Sequence, residues 1–166
     1  MNQSEASLDP QKFSNLVVEY PTKNTKEKLQ MQEELITSEN LSPELLKSIF
    51  DAAFMESTTD EDGEVLVKES VTVRVKANME QKNRIRLYCI FSFEENSTQL
   101  ARLECVNRIT GDYAMLKASV HDNLLIIAYD MWIAGGITKK NLVTGLKFFA
   151  TIPHDAIADY GQEIVQ

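Results

Sequence analysis

Residues 114–152 read AMLKASVHDNLLIIAYDMWIAGGITKKNLVTGLKFFATI, and the pattern within this run decides the fold class. Leu116, Ala118 and Val120 alternate with Met115, Lys117 and Ser119. A strand with one buried face has that period of two. Asp122-Asn123 follows, and both residue types tolerate a left-handed backbone, so the pair predicts a hairpin closed by a type I′ turn. The returning run, residues 124–128, is apolar at every position, as a strand inside a covered sheet would be. After Gly135-Gly136, Thr138 has the chemistry of a helix N-cap, and Leu142, Val143, Leu146 and Phe149 fall on one side of the helix it opens.

Working outward, Ser42-Pro43-Glu44 supplies an N-cap, a proline at the first helical position and an acid in the first turn. Leu45, Leu46, Ile49, Phe50, Ala53 and Phe54 then occupy one half of a helix, with Glu44, Lys47, Ser48 and Asp51 on the other. An acidic turn is expected over residues 58–63. Two alternating runs follow: Val65 and Val67, then Val71, Val73 and Val75 with Arg74 and Lys76 between them. A polar turn leads into Arg84-Ile85-Arg86-Leu87-Tyr88-Cys89-Ile90-Phe91, whose second half is apolar throughout. Ser97 is the expected cap of a helix over residues 97–109, stopped near Thr110-Gly111. Pro153 is expected to kink or end the last helix. The order is α-β-β-β-α-β-β-α, an α+β fold with an antiparallel sheet.

The chain has 166 residues and a formal net charge of -8, which argues against a general affinity for nucleic acid or anionic membranes. No apolar run is long enough to span a bilayer. The first ten residues lack a basic start and an apolar stretch, so no secretory signal is read there and a cytoplasmic location is expected. Cys89 and Cys105 both sit in apolar patterns and read as buried thiols of a reducing compartment. Two regions are expected: a polar, mobile arm over residues 1–41 and a folded domain over 42–166. Within the arm, Leu16-Val17-Val18 forms a short apolar patch and residues 26–36 read as a weak helix.

The segment from Ser42 to Ile152 resembles the YbjN domain, which adopts the fold of type III secretion chaperones. The resemblance is carried by the opening amphipathic helix, the strand RIRLYCIF, Cys105-Val106-Asn107-Arg108-Ile109, the strands MLKASV and LLIIAYD, and the Gly-Gly-Ile-Thr approach to the last helix. It implies a non-enzymatic, often dimeric domain associated with regulation or with binding other proteins.

Catalytic and metal-binding patterns find little support. Asp60-Glu61-Asp62-Gly63-Glu64 is acidic enough for a cation, but its glycine comes fourth and the twelfth position is Val71, so a solvated turn is expected. His121 and His154 have no Cys or His at ligand spacing, and no Ser-His-Asp set assembles. Gly135-Gly136 lacks the pattern of a phosphate loop and reads as a turn. Asp130, ending an apolar strand, either caps the glycine loop or marks where the strand meets water. No metal and no cofactor are expected, and the chain is not read as an enzyme.

Two features suggest binding. If residues 73–76 and 84–87 pair as a hairpin, Arg74, Lys76, Arg84 and Arg86 share one outward face. That face is either solvated and relieved by Glu64, Glu69 or Glu80, or a dock for an acidic segment or a nucleic acid. The other feature is the helix over 97–109, where Leu100, Leu103 and Val106 lie on one side and Ala101, Cys105 and Ile109 on the other. A helix apolar around its circumference needs a second cover; a homodimer is the simplest source, and the competing one is the arm folding back through Leu16, Val17 and Val18. The expected function is a protein-binding or regulatory domain with a protein partner and no membrane contact. Nucleic-acid or anionic-ligand binding through the basic hairpin is the alternative.

Overall fold

In the computed structural model, which describes residues 35–166, the central strands bury alternate residues along most of their length. The elements in chain order are β1 (Leu35–Ile36), α1 (Pro43–Ala52), β2 (Glu56–Thr59), β3 (Val65–Lys68), β4 (Thr72–Ala77) and β5 (Arg84–Ser92). They continue with α2 (Gln99–Asp112), β6 (Lys117–His121), β7 (Leu124–Trp132), β8 (Ile137–Thr138) and α3 (Lys139–Tyr160). One sheet runs β2-β3-β4-β5-β7-β6 with every neighbour antiparallel, and β1 pairs β8 apart from it. Val65, Val67, Val73, Val75, Ile85, Leu87, Leu125 and Ile127 point from one face into the core. There they meet Leu46, Ile49 and Phe50 of α1 and Leu142, Leu146 and Phe149 of α3. The α+β antiparallel architecture is the one the sequence pattern indicates.

The helix caps follow their side-chain chemistry. Ser42 Oγ accepts from Leu45 N and Thr138 Oγ1 from Asn141 N, satisfying amides that a helix start leaves open. At α2 the cap is Thr98, whose Oγ1 accepts from Ala101 N, and not Ser97. The Ser97 hydroxyl is committed elsewhere: it donates to the Glu94 carbonyl and accepts from Arg102 Nε. This helix also runs past Ile109 to Asp112, through Gly111.

Phe54 leaves the apolar face expected of it. α1 ends at Ala52, and Phe54 adopts a left-handed φ of 58° with 98% of its surface exposed. Its amide donates to Asp51 O and that of Met55 to Phe50 O, the pair of bonds that closes a Schellman motif. Met55, buried one residue later, supplies the apolar contact such an ending needs.

Other boundaries shift for local reasons. Residues 56–59 form an extra edge strand where an acidic turn was expected to start at Thr58; its polar sequence shows no alternation because only Ser57 is even half-buried. β6 begins at Lys117, after Met115 takes a φ of 69°. In the turn after β6 only Asp122 is left-handed (φ 53°), whereas a type I′ turn needs two such residues. Asn123 is instead held against Phe93, accepting from its amide and donating Nδ2 to its carbonyl. α3 does not stop at Pro153 but continues to Tyr160. The Ser70 hydroxyl donates to the Ala150 carbonyl on the turn preceding the proline.

Ahead of Ser42, where the sequence puts the start of the folded domain, described residues already pack with it. Leu35-Ile36 pair with β8, and Ile36 and Leu41 are buried in the core. The apolar patch at residues 16–18, and all of the expected helix before Leu35, lie outside the described residues.

Candidate functional site

The period of two that buries the valines turns the intervening side chains to the other face of the sheet. β4 and β5 pair with Arg74 opposite Tyr88 and Lys76 opposite Arg86. β5 and β7 pair with Arg84 opposite Trp132, Arg86 opposite Asp130 and Ile90 opposite Ile126. Arg74, Lys76, Arg84 and Arg86 are therefore brought together on one outer face.

They are not a free cationic surface. Glu64, only 7% exposed, accepts from Lys76 Nζ at 2.7 Å and from the Tyr88 hydroxyl, with Arg74 at 3.6 Å. Arg74 also donates to Asp60 at 2.9 Å. Asp130 receives Arg86 through both oxygens at 2.8 Å, so it neither caps the glycine loop nor simply marks a strand end. Of the acids expected to relieve this face, Glu64 does so; Glu69 and Glu80 are replaced by Asp60 and Asp130, which lie far away in sequence.

These contacts set the protonation behaviour. Burial works to raise the Glu64 carboxyl, but hydrogen bonds from Lys76 and Tyr88 outweigh it and hold the group below the usual carboxylate range. Burial and the neighbouring Glu64 push Tyr88 up to about 12. The Arg86 hydrogen bonds hold Asp130 low. All three groups therefore keep one charge state through neutral pH, which suits a recognition surface better than proton transfer.

Beside this ladder, a groove of about 640 Å³ opens near the β4–β5 turn, lined by Lys76, Arg84 and Arg86 together with Asp62, Glu64 and Glu80. The same face carries apolar side chains at both ends of β7, Leu124 with the neighbouring Ile90 at one and Trp132, opposite Arg84, at the other. Leu124, Ile90 and Trp132 are exposed, Trp132 by 62%. Among the described residues no element covers them. The sequence reading missed these patches, although their signal was present: Tyr88 and Ile90 share the parity of Arg84 and Arg86.

On α2, Leu100 is 67% and Leu103 44% exposed, but Val106 is 6% exposed and belongs to the core. The second cover expected from another molecule comes largely from the same chain. β6 packs along α2, with Thr110 Oγ1 accepting from Ala118 N, and the segment after α3 closes the other side, Gly161 lying against Cys105. Among the described residues, Leu100 and Leu103 are the apolar side chains of this helix left outside.

The remaining candidates stand apart. Asp60 Oδ1 accepts from the amides of Asp62 and Glu64, folding the acidic stretch into a turn around Gly63. Among the described residues no three His, Cys, Asp or Glu side chains converge as metal ligands. His121 neighbours only the exposed Asp122, and His154 Nε2 lies 3.3 Å from the Ser70 carbonyl. Gly135 and Gly136 both take positive φ, and Gly136 donates to Ile133 O to close a turn. Among the described residues no helix is long and apolar enough to cross a membrane. Both cysteines are buried and free, and burial pushes the Cys89 thiol up to about 12.

Comparison with known proteins agrees with this architecture. A family profile, YbjN, described as "Putative bacterial sensory transduction regulator", matches residues 42–159. No curated protein matches the sequence. Among solved structures, YbjN from E. coli, described as "a putative transcription regulator", aligns over 76% of this chain and 96% of its own, with TM-score 0.57 and 10% identity. An uncharacterized protein from Methanothermobacter thermautotrophicus aligns over 73% of this chain and 100% of its own, with TM-score 0.50 and 15% identity. At these identities the likeness is one of fold.

Proposed function

The chain belongs to the YbjN family, and from that premise we propose that it is a non-catalytic regulatory domain that acts by binding another protein. The observation that carries the proposal is the outer face of the sheet, uncovered among the described residues, where Ile90, Leu124 and Trp132 stand exposed beside a neutralised ladder of charges. Large apolar side chains grouped on one exposed face mark an interaction surface. A cytoplasmic location goes with the two free, buried thiols. The family description as a regulator supports the role, since a regulator needs a partner more than a reaction.

The proposal includes a homodimer through α2, where Leu100 and Leu103 would pair about a two-fold axis. Nucleic-acid binding through the basic hairpin is disfavoured, because Arg74, Lys76 and Arg86 already hold carboxylates and the chain carries a net charge of -8.

Affinity capture from the native lysate, with wild type and Ile90→Asp, tests the main reading. Wild type should retain a protein in fixed ratio through high salt, and the variant should lose it. Stoichiometric nucleic acid released steeply by salt would overturn the reading. Light scattering after size exclusion tests the dimer. Leu100→Glu with Leu103→Glu should convert dimer to monomer, and a wild-type monomer at micromolar concentration would refute the pairing.

A further inference from the structure

We propose that the outer face of the sheet receives an acidic amphipathic helix from the partner protein, laid along β7. This rests on the protein-binding reading above and names the partner's chemistry. Arg74, Lys76 and Arg86 are matched by the carboxylates already described, but two other cations of the face are poorly matched among the described residues. Arg84 comes only to 3.8 Å from Asp130, whose two oxygens Arg86 already holds. Lys117 acts on Asp130 only through longer-range attraction.

These two cations flank β7 on opposite sides. Arg84 stands on β5 across from Trp132, and Lys117 on β6 across from Ala128. Between them β7 presents Leu124 and Ile126, widened by Ile90, towards one end and Trp132 at the other, with the small, buried Ala128 and the Arg86-paired Asp130 in between. At about 3.3 Å per residue, the eight steps from Leu124 to Trp132 cover roughly 26 Å, the length of about 18 helical residues. The docking surface is thus a pair of apolar patches at the two ends of β7, joined across the neutralised Asp130–Arg86 pair and bordered by a positive charge on each side.

A helix fits this surface better than a strand. An extended peptide laid on a sheet face finds no backbone partners, because strands pair only at edges. The β6 edge is partly closed, since Thr110 Oγ1 takes the Ala118 amide. A helix satisfies its own backbone and brings apolar side chains at i, i+3, i+4 and i+7. Carboxylates on its borders would meet Arg84 on one side and Lys117 on the other. The chain's net negative charge repels such a partner at long range, but that field is screened beyond about 8–10 Å in physiological salt, so the local match decides.

The only tryptophan of the chain is Trp132, so its emission reports on this face directly. The full chain is titrated with 18-residue tryptophan-free helical peptides: one with a leucine stripe and glutamate borders, one with lysine borders, and one scrambled to remove the stripe. The glutamate peptide should shift Trp132 emission to the blue and saturate, while the other two should not. Arg84→Glu or Lys117→Glu should each weaken the response about tenfold. No shift with the glutamate peptide up to millimolar concentration, or an equal shift with the lysine peptide, overturns the proposal without recourse to a variant. A blue shift that follows protein concentration with no peptide present puts a second copy on the face and also overturns it. If the peptides fail while Ile90→Asp still abolishes capture of the native partner, this inference falls and the protein-binding reading stands. If that capture survives Ile90→Asp as well, both fall.

Discussion

Glu64→Gln is the perturbation that most directly tests the charge ladder. The substitution keeps the shape and an acceptor for Tyr88 but removes the charge from a side chain that is only 7% exposed. The hydroxyl of Tyr88 then bonds to a neutral oxygen, and such bonds are worth about 0.5–1.5 kcal/mol against about 1.5–3 for a charged acceptor. Lys76 and Arg74 lose an ion pair each. Their side chains are 59% and 35% exposed, so solvent screening limits each loss to a few tenths of a kcal/mol. Relief of the carboxylate's desolvation offsets part of the sum. The expected net loss is about 1–2 kcal/mol at neutral pH, read from urea unfolding with linear extrapolation. The pH dependence supplies a second check. The folded-state value of Glu64 lies below the ordinary glutamate value, so its contribution is fully present above that ordinary value and is lost as pH falls through the folded value. Other groups titrate equally in both proteins and cancel in the difference. The gap between wild type and variant should therefore be constant from neutral pH down to about 5 and close at lower pH. A gap that stays open in acid, or that is absent at neutral pH, would refute the claim that the carboxylate itself holds the ladder.

Phe54→Gly should raise stability by about 0.5–1 kcal/mol in the same assay, because the left-handed backbone costs a Cβ-bearing residue about 1–2 kcal/mol and this ring contributes almost no burial. A loss would show that Phe54 makes contacts in the folded chain after all. Gly161→Ala should destabilise by about 1–3 kcal/mol, since its new Cβ would stand 2.9 Å from Val165 Cγ2 and 3.5 Å from Cys105 Sγ. Faster amide exchange over residues 161–166 would locate the damage, and an unaltered exchange pattern would count against it. Native Cys89 and Cys105 should react with a thiol reagent only as fast as the protein unfolds, because both are buried and burial raises both thiols. Reaction within the dead time without unfolding would contradict that burial.

The sequence by itself determined whatever depends on neighbours along the chain. Ser42 and Thr138 announce their helices because a cap bonds to an amide three residues away. The valines of β3 and β4 announce a half-buried sheet because side chains alternate with a period of two. The same parity carried Arg74, Lys76, Arg84 and Arg86 to one face. Tertiary structure alone decided which charges meet. Asp60 reaches Arg74 across 14 positions and Asp130 reaches Arg86 across 44, separations at which no local pattern operates. It also decided where apolar surface is left over. Val106 is covered by packing within its own chain, whereas Leu103, three residues earlier and equally apolar, is exposed. Cover depends on what the fold brings alongside, and the free energy of burying a side chain belongs to that contact and not to the residue.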